Sequence, residues 1–162
     1  MFDMNGGLCS SRGGVPDKGG EFVTTNAGSS RVAFQQSYPA VPAAVADVRA
    51  ALKQFASGVG LAPAVIDDVE LAASEAATNV VLHAYADREA PGTIDVSATV
   101  AGNELWVIIT DIGLGLRPRP DSPGLGLGLA IIAQLADGVD LVKPAEGGLE
   151  LRMRFAMAEE AA

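Results

Sequence analysis

Glu75 and Asn79 are four residues apart in a segment that otherwise carries little charge. In an α-helix, residues at i and i+4 lie on one face, one turn apart. Between Leu71 and Ala86, Glu75 is the only charged residue, and Leu71 and Leu82 are among its neighbours on that face. A carboxylate beside an amide in apolar surroundings can accept a proton or bind a ligand. An ordinary exposed helix glutamate is the alternative interpretation.

Two glycine clusters later in the chain could lie close to a base or a phosphate. Residues 111–115, DIGLG, follow directly on the apolar segment ELWVIIT, so an aspartate at a strand end is followed by glycines that allow close backbone approach. Residues 124–128, GLGLG, open the segment LAIIAQLA, where free N–H groups at a helix start would favour an anion. A turn or a helix cap explains either cluster alone. The Rossmann and Walker A arrangements are both absent from the sequence.

Hydrophobic periodicity predicts the elements that must position these residues. Strands are predicted at residues 32–38, 93–100, 104–110, 138–142 and 148–155, and helices from residue 41 to Gly58, from 63 to 86, and at 128–136. Because hairpins dominate this order, we expect an α+β fold, a two-layer sandwich with a mixed, mainly antiparallel sheet and the helices on one face. One sector of the helix at 63–86 is predicted to face the core: Ile66, Val69, Ala73, Ala77, Val80 and Ala84.

Composition predicts one folded domain with a tail at each end. Residues 1–30 are rich in glycine and serine and cannot bury a core, so we expect them to be disordered. The domain is predicted at residues 31–156, and residues 157–162 are expected to fray. No apolar stretch is long enough for a membrane span, and the N-terminus has no secretory signal, so the prediction is a soluble, cytoplasmic protein.

Charge and the rarest residue types exclude several classes of function. Twenty acidic and eleven basic residues give a net charge of −9, which argues against direct nucleic-acid binding. With Cys9 as the single cysteine and His83 as the single histidine, an internal disulfide framework and a Cys- or His-based metal cluster are excluded. His83 itself is interpreted as a packing or hydrogen-bonding residue. The chemistry must therefore come from carboxylates, amides, backbone groups and a bound cofactor.

The order of these features carries more information than any one of them. An E-x-x-x-N helix, a strand ending in D-x-G-x-G, a loop, and G-x-G opening a helix together resemble the GHKL or Bergerat-fold ATPases over residues 31–156. Within that superfamily, residues 75–85, EAATNVVLHAY, are most similar to the stand-alone anti-sigma-factor serine/threonine kinases of bacterial partner-switching systems. The resemblance implies the Bergerat, histidine-kinase-like form of the two-layer sandwich.

The resemblance also implies ATP and Mg²⁺ as ligands and a role for each matched residue. Glu75 would be the general base for phosphoryl transfer, and Asn79 would hold Mg²⁺. Asp111 would accept a hydrogen bond from the adenine amino group. The glycines of the first cluster would give the base and sugar room and those of the second would cradle the phosphates: Gly113, Gly115, Gly126 and Gly128. The second pair is matched so that Asp137 falls where the family often has an aspartate after the helix, which makes Gly124 an additional hinge glycine.

The chain departs from the family pattern at two places. The loop at residues 116–123 is short and holds three prolines, so a long mobile ATP lid does not fit there. Arg117 and Arg119 in this loop could reach a γ-phosphate, although a solvated loop charge is the simpler interpretation. Gly148 is followed by Leu149, where the family often has threonine near the adenine.

Two functions from different classes follow. The first is an ATP-dependent protein serine/threonine kinase that phosphorylates an antagonist protein and sequesters a sigma factor, with a homodimer considered and with neither nucleic acid nor membrane as a partner. The second is a regulatory nucleotide-binding interaction module without phosphotransfer activity. A detached histidine-kinase ATP domain is disfavoured because no helix with a phosphoacceptor histidine precedes the domain in this sequence.

Overall fold

The computed structural model describes residues 21–22, 33–114 and 125–157. Its strands are β1 (Glu21–Phe22), β2 (Ala33–Pro39), β3 (Thr93–Ala101), β4 (Glu104–Asp111), β5 (Gly138–Val142) and β6 (Leu149–Ala156). Its helices are α1 (Pro42–Gly58), α2 (Pro63–Asn79) and α3 (Leu125–Leu135), and a π-helical turn at Val80–Ala84 follows α2 (hereafter the π turn). The strand order is β1-β2-β3-β4-β6-β5, and every pairing between described strands is antiparallel. The α+β class and the predominantly antiparallel sheet are thus confirmed.

The sheet is built on strands whose side chains alternate between the helical layer and the opposite face. The inward positions of β3 are apolar, and those of β4 are apolar up to its last residue, Asp111. In β6 the inward positions hold Leu151, Met153 and Phe155, all buried. The β4–β6 register places Asp111 opposite Leu149. The carboxyl end of β4 therefore meets the start of β6, which fixes one wall of the site described below.

Both long helices begin with proline in the first turn, where the missing N–H costs nothing. The apolar stripe of α1, which includes Val48 and Leu52, is buried against the sheet and α2. Small side chains dominate the buried face of α2: Val69, Ala72, Ala73, Ala76 and Ala77. Most of the sector predicted to face the core is buried, and only Ile66 is half-buried. Alanines on this face let α2 pack closely between its neighbours.

The single helix predicted over residues 63–86 is regular α-helix over 63–79, and the prediction is wrong only in its last part. Regular α-helix ends at Asn79, and residues 80–84 form the π turn, with Tyr85 following in a non-helical conformation. A π turn accommodates one extra residue, so every later side chain is rotated relative to a continuous α-helix. Apolar periodicity could not reveal this change because Val80 and Ala84 are buried in either case.

The predicted boundaries shift at several other points. Glu21 and Phe22, part of the predicted tail, pair with Gln35 and Phe34 of β2, so the sheet includes residues ahead of position 31. Helix α3 begins three residues earlier than predicted, since its first turn contains part of the glycine cluster.

At the other end, Met157 makes two hydrogen bonds with Asn103. Its N–H donates to the Asn103 carbonyl oxygen, and its own carbonyl oxygen accepts from Asn103 Nδ2. The remainder of both predicted tails, Cys9, Gly115, Gly124, and the loop at 116–123 with Arg117 and Arg119 lie outside the described residues. Within the described ranges no helix is long and apolar enough to cross a membrane.

Gly147 and Gly148, just before β6, provide a test of how β6 is joined to β4. Both have positive φ, +97° and +79°. A Cβ at Gly148 would lie 1.8 Å from the Asp111 carbonyl oxygen, whereas a Cβ at Gly147 would meet nothing within 4 Å. Gly147→Ala should therefore cost about 1–2 kcal/mol of backbone strain. Gly148→Ala adds a steric clash and should cost about 2–5 kcal/mol in total. Urea denaturation measures both, and equal losses would contradict the close contact.

Candidate active site

A pocket with about 450 Å³ of open space lies between the end of α2, the π turn, β4, β6 and α3. The lining is mainly apolar, with polar groups from three side chains, Asn79, His83 and Asp111; the other lining residues are Ala76, Val80, Ala84, Ile109, Leu129, Leu149 and Leu151. An apolar pocket with a few polar groups suits a flat aromatic ligand that has a polar edge.

The E-x-x-x-N face of α2 lies directly against the first turn of α3. A Cβ placed on Gly128 would be 3.2 Å from Asn79 Nδ2, 3.3 Å from Asn79 Oδ1 and 3.3 Å from Glu75 Oε2. Gly128 is itself buried. Because a larger residue would require Asn79 or Glu75 to move, the glycine is what allows the helix start and the two polar side chains to share one site.

Glu75 and Asn79 lie at the edge of the pocket, on the same side of the helix as two leucines. Both side chains are half-buried, and Asn79 lines the pocket. Leu71 and Leu82 on the same side are exposed, by 47% and 57%. The polar pair therefore lies at the rim of the pocket between two exposed leucines.

Asp111 is the one buried charged side chain among the described residues, with 4% of its surface exposed. Removal from water raises the pKa of its carboxyl above the ordinary value, and hydrogen bonds from the backbone N–H groups of Gly113 and Leu149 partly oppose that rise. The Gly113 N–H donates to Asp111 Oδ1 at 2.9 Å. An added hydrogen-bond donor in the pocket would stabilise the ionised form of this carboxyl.

Residue 113 has no room for a side chain, because the last residue of the π turn, Ala84, lies against its backbone. A Cβ at this position would lie 2.1 Å from the Ala84 carbonyl oxygen, and that oxygen accepts the Leu114 N–H at 2.8 Å. The room for base and sugar that the resemblance assigns to Gly113 stays a prediction. Gly126 lies in the first turn of α3, two residues before Gly128.

The second departure from the family pattern is visible in this pocket. Leu149 contributes an apolar side chain to the lining, while its backbone N–H donates to Asp111. The hydroxyl that the family often has here is thus replaced by an apolar contact. Asp137, the residue used to match the second glycine pair, instead accepts the Ala156 N–H at 2.7 Å and joins the end of α3 to β6.

Sequence reasoning missed two residues of the site. His83, for which the sequence favours a packing or hydrogen-bonding role, lines the pocket with Asn79 and Asp111. Its position one turn beyond Asn79 was the available signal. Tyr85 was noted only as part of a sequence run, yet its hydroxyl accepts a hydrogen bond from the N–H of Ile112, which follows Asp111. No spacing rule predicts that contact, since the π turn sets it.

The side chains present fit a magnesium ion that arrives with a phosphate ligand. In the described part of the chain, no group of three or more His, Cys, Asp or Glu residues could hold a metal ion alone. Asn79 and Glu75 both present oxygen atoms beside Gly128. Mg²⁺ prefers oxygen ligands and is commonly bound by one or two protein groups together with phosphates and water.

Comparison with known proteins gives a consistent result. An anti-sigma F factor from Clostridium acetobutylicum is 27% identical, over 69% of this chain and 86% of its own length. A serine-protein kinase RsbW from Bacillus thuringiensis is 28% identical, over 78% of this chain and 87% of its own. Another anti-sigma F factor, from Clostridium botulinum, is 31% identical over 55% of this chain and 69% of its own.

Two solved structures share the fold. The RsbU and RsbW domains of Rv1364c from Mycobacterium tuberculosis match with a TM-score of 0.60 and 25% identity, over 78% of this chain and 33% of that longer chain. The histidine kinase domain of a blue-light activated kinase from Erythrobacter litoralis matches with a TM-score of 0.51 at 22% identity, over 71% of this chain and 60% of its own.

The model of the histidine kinase-like ATPase domain matches residues 38–155, well over half of the chain. That range contains α2, the π turn, β4, α3 and all but the last residue of β6, the elements that surround the pocket. This chain therefore belongs to the histidine kinase-like ATPase domain family.

Proposed function

We propose that this chain is an ATP-dependent protein serine/threonine kinase of the anti-sigma-factor type, which phosphorylates an antagonist protein and sequesters a sigma factor. One observation carries the proposal: the start of α3 at Gly128 lies against both Glu75 and Asn79, beside the pocket that buries Asp111. Family membership supports the use of ATP. The names of the relatives, anti-sigma F factor and serine-protein kinase RsbW, support the reaction and the kind of partner.

The adenine end of the site is assigned to Asp111. Its carboxylate accepts a hydrogen bond from the adenine amino group. The apolar side chains of Ile109, Leu149 and Leu151, which line the pocket, contact the ring in this proposal. Two lone pairs of this carboxylate are already used by backbone N–H groups, which leaves the remaining ones for the ligand. Gly113 and Gly115 give the base and sugar room in this proposal.

The phosphate end is assigned to the first turn of α3 with Asn79. The first four N–H groups of a helix have no partner within it, and the helix dipole adds to their attraction for anions. Gly126 and Gly128 allow the phosphates close to that backbone. Mg²⁺, held by Asn79 together with the phosphates, would neutralise charge on the phosphoryl group.

Glu75 is assigned the role of general base. Its carboxylate takes the proton from the serine hydroxyl of the antagonist while the serine oxygen bonds to the γ-phosphorus and the bond to ADP breaks. Glu75 Oε2 lies next to Gly128, at the phosphate end and not at the Asp111 end. A carboxylate at that place can reach both the incoming hydroxyl and the transferred group.

The alternative is a regulatory module that binds nucleotide but transfers no phosphate. In that case Glu75 only lines the site, and partners respond to the bound nucleotide. The net charge of −9 supports protein partners over nucleic acid in either case. A cytoplasmic location without membrane attachment, and a homodimer, complete the proposal.

The Asp111 assignment predicts a specific loss of adenine recognition. Asp111→Asn removes a charged hydrogen-bond acceptor, so ATP should bind about 10–100-fold more weakly, while inorganic tripolyphosphate with Mg²⁺ should bind as before. Asp140→Asn, at an exposed position of β5, is the control. Isothermal titration calorimetry measures all of them, and an equal loss for both ligands would refute the assignment.

The raised pKa of Asp111 also gives the pH dependence its sign. In this proposal ATP binds to the ionised carboxylate. The ratio of the ATP affinity of wild type to that of Asp111→Asn should therefore be largest above the pKa of Asp111 and should decrease as the pH falls through that pKa. Taking the ratio to the variant cancels the protonation of the phosphates, which both proteins share. A ratio independent of pH would contradict this role for the carboxyl.

The Glu75 assignment separates the two candidate functions. Glu75→Gln keeps the size of the side chain but cannot take a proton, so phosphotransfer to the antagonist should fall about 10²–10⁴-fold with ATP binding unchanged. Glu70→Gln on the same helix is the matched control, because Glu70 pairs with Lys53 outside the site. Radiolabelled ATP gives the rates. Equal rates for wild type and Glu75→Gln rule out the general base, and a wild type that binds but transfers nothing favours the alternative.

The Asn79 assignment concerns the ion. In wild type, ATP should bind more tightly with Mg²⁺ than with EDTA, because Asn79 contributes to holding the ion. In Asn79→Ala that difference should be reduced about tenfold or more, with the melting temperature nearly unchanged. If Asn79→Ala kept the full difference in ATP affinity between Mg²⁺ and EDTA, the assignment of Asn79 to the ion would be wrong.

A further inference from the structure

Tyr85 connects three parts of the backbone that surround the adenine end of the pocket. Its hydroxyl donates to the Thr93 carbonyl oxygen at 2.8 Å and accepts the Ile112 N–H at 3.1 Å. The residue is 6% exposed, and its ring lies on Gly92, where a Cβ would be 2.0 Å from the ring. Arg88 covers the ring with its guanidinium carbon 5.3 Å from the centroid. The hydroxyl thus has one well-defined position.

The segment that carries Asp111 is held from two sides. On one side the carboxyl accepts the N–H groups of Gly113 and Leu149. On the other side Ile112 N–H donates to Tyr85, and Leu114 N–H donates to the Ala84 carbonyl oxygen at 2.8 Å. The second pair of contacts comes from the end of the π turn and the residue that follows it.

The π turn makes those contacts available. The π turn contains one residue more than a turn of α-helix. If regular α-helix continued beyond Asn79, the residues that follow would therefore be rotated about the helix axis by about 100° from their observed directions. The Ala84 carbonyl oxygen and the Tyr85 hydroxyl would then no longer face the segment after β4. The irregular end of α2 therefore serves the segment after β4.

We propose that Tyr85 is a positioning residue for nucleotide recognition: its hydroxyl fixes Ile112 and so holds the Asp111 carboxylate at the place where the base is recognised. This inference rests on the proposed function, since it requires a nucleotide in the pocket. Tyr85 does not touch the phosphate end, where Gly128 lies against Glu75 and Asn79. Its loss should affect ligands that carry a base and spare ligands that do not.

The chain offers a matched control in its only other tyrosine. Tyr38 is also 6% exposed, and its hydroxyl donates to Gln36 Oε1 at 2.8 Å on β2. Neither Tyr38 nor Gln36 lines the pocket. Tyr38→Phe and Tyr85→Phe both delete a buried tyrosine hydroxyl, so a general effect of that deletion on stability is present in both.

The experiment measures binding of ATP and of inorganic tripolyphosphate, each with Mg²⁺, to wild type, Tyr85→Phe and Tyr38→Phe. Tyr85→Phe should weaken ATP about 3–10-fold and leave tripolyphosphate unchanged, because one hydrogen bond that orders the site is lost. Tyr38→Phe should change neither. Without ligand, the amide of Ile112 should exchange with deuterium faster in Tyr85→Phe than in the other two proteins.

A second variant moves the hydroxyl without deleting it. Gly92→Ala places a methyl group against the Tyr85 ring and should reproduce the selective loss of ATP affinity. The positioning role is overturned if Tyr85→Phe loses affinity equally for ATP and tripolyphosphate, or if it binds ATP as tightly as wild type does. A wild type that binds tripolyphosphate but no adenine nucleotide overturns the proposed function instead, and the two failures are therefore distinguishable.

Discussion

A carboxylate almost removed from water, at the end of a central strand, is the constraint on which the site depends. Burying a charge is costly unless hydrogen bonds replace the lost hydration. For Asp111 the replacement comes from the backbone N–H groups of Gly113, which follows it, and of Leu149 on β6. The bond from Leu149 requires β6 to start opposite the end of β4, so sheet register and site geometry are one requirement.

Close backbone approach is the second requirement, and it explains three glycines by contact. Gly148 brings the start of β6 onto the Asp111 carbonyl oxygen, Gly113 brings the segment after β4 onto the Ala84 carbonyl oxygen, and Gly128 brings α3 onto Glu75 and Asn79. At Gly148 and Gly113 a methyl group would clash with backbone, and at Gly128 it would press on the Asn79 and Glu75 side chains. The alanines of α2 act in the same sense on the side of that helix that faces the core.

The two ends of the site differ in how they are held. The adenine end in our proposal is fixed by backbone hydrogen bonds and by the tyrosine that follows the π turn. The phosphate end in our proposal consists of a helix start and two half-buried side chains, Glu75 and Asn79.

Much of this protein could be predicted from local pattern. Period-2 alternation predicted β3 and β6, and the apolar run ELWVIIT predicted β4. The spacing of Glu75 and Asn79 together with the two glycine clusters was enough to indicate the family to which the chain belongs. These predictions succeed because alternation, helical spacing and glycine placement are local consequences of backbone geometry.

The sequence by itself determined the fold class, the order of the elements and which residue types could meet a nucleotide. The tertiary structure alone decided that α2 ends in a π turn, that His83 lines the pocket, that Asp137 joins α3 to β6, and that the Tyr85 hydroxyl bonds to Ile112. Each of these depends on contacts between segments far apart in the chain. The π turn changes the backbone hydrogen bonding but leaves Val80 and Ala84 buried, so the apolar pattern of the sequence does not reveal it.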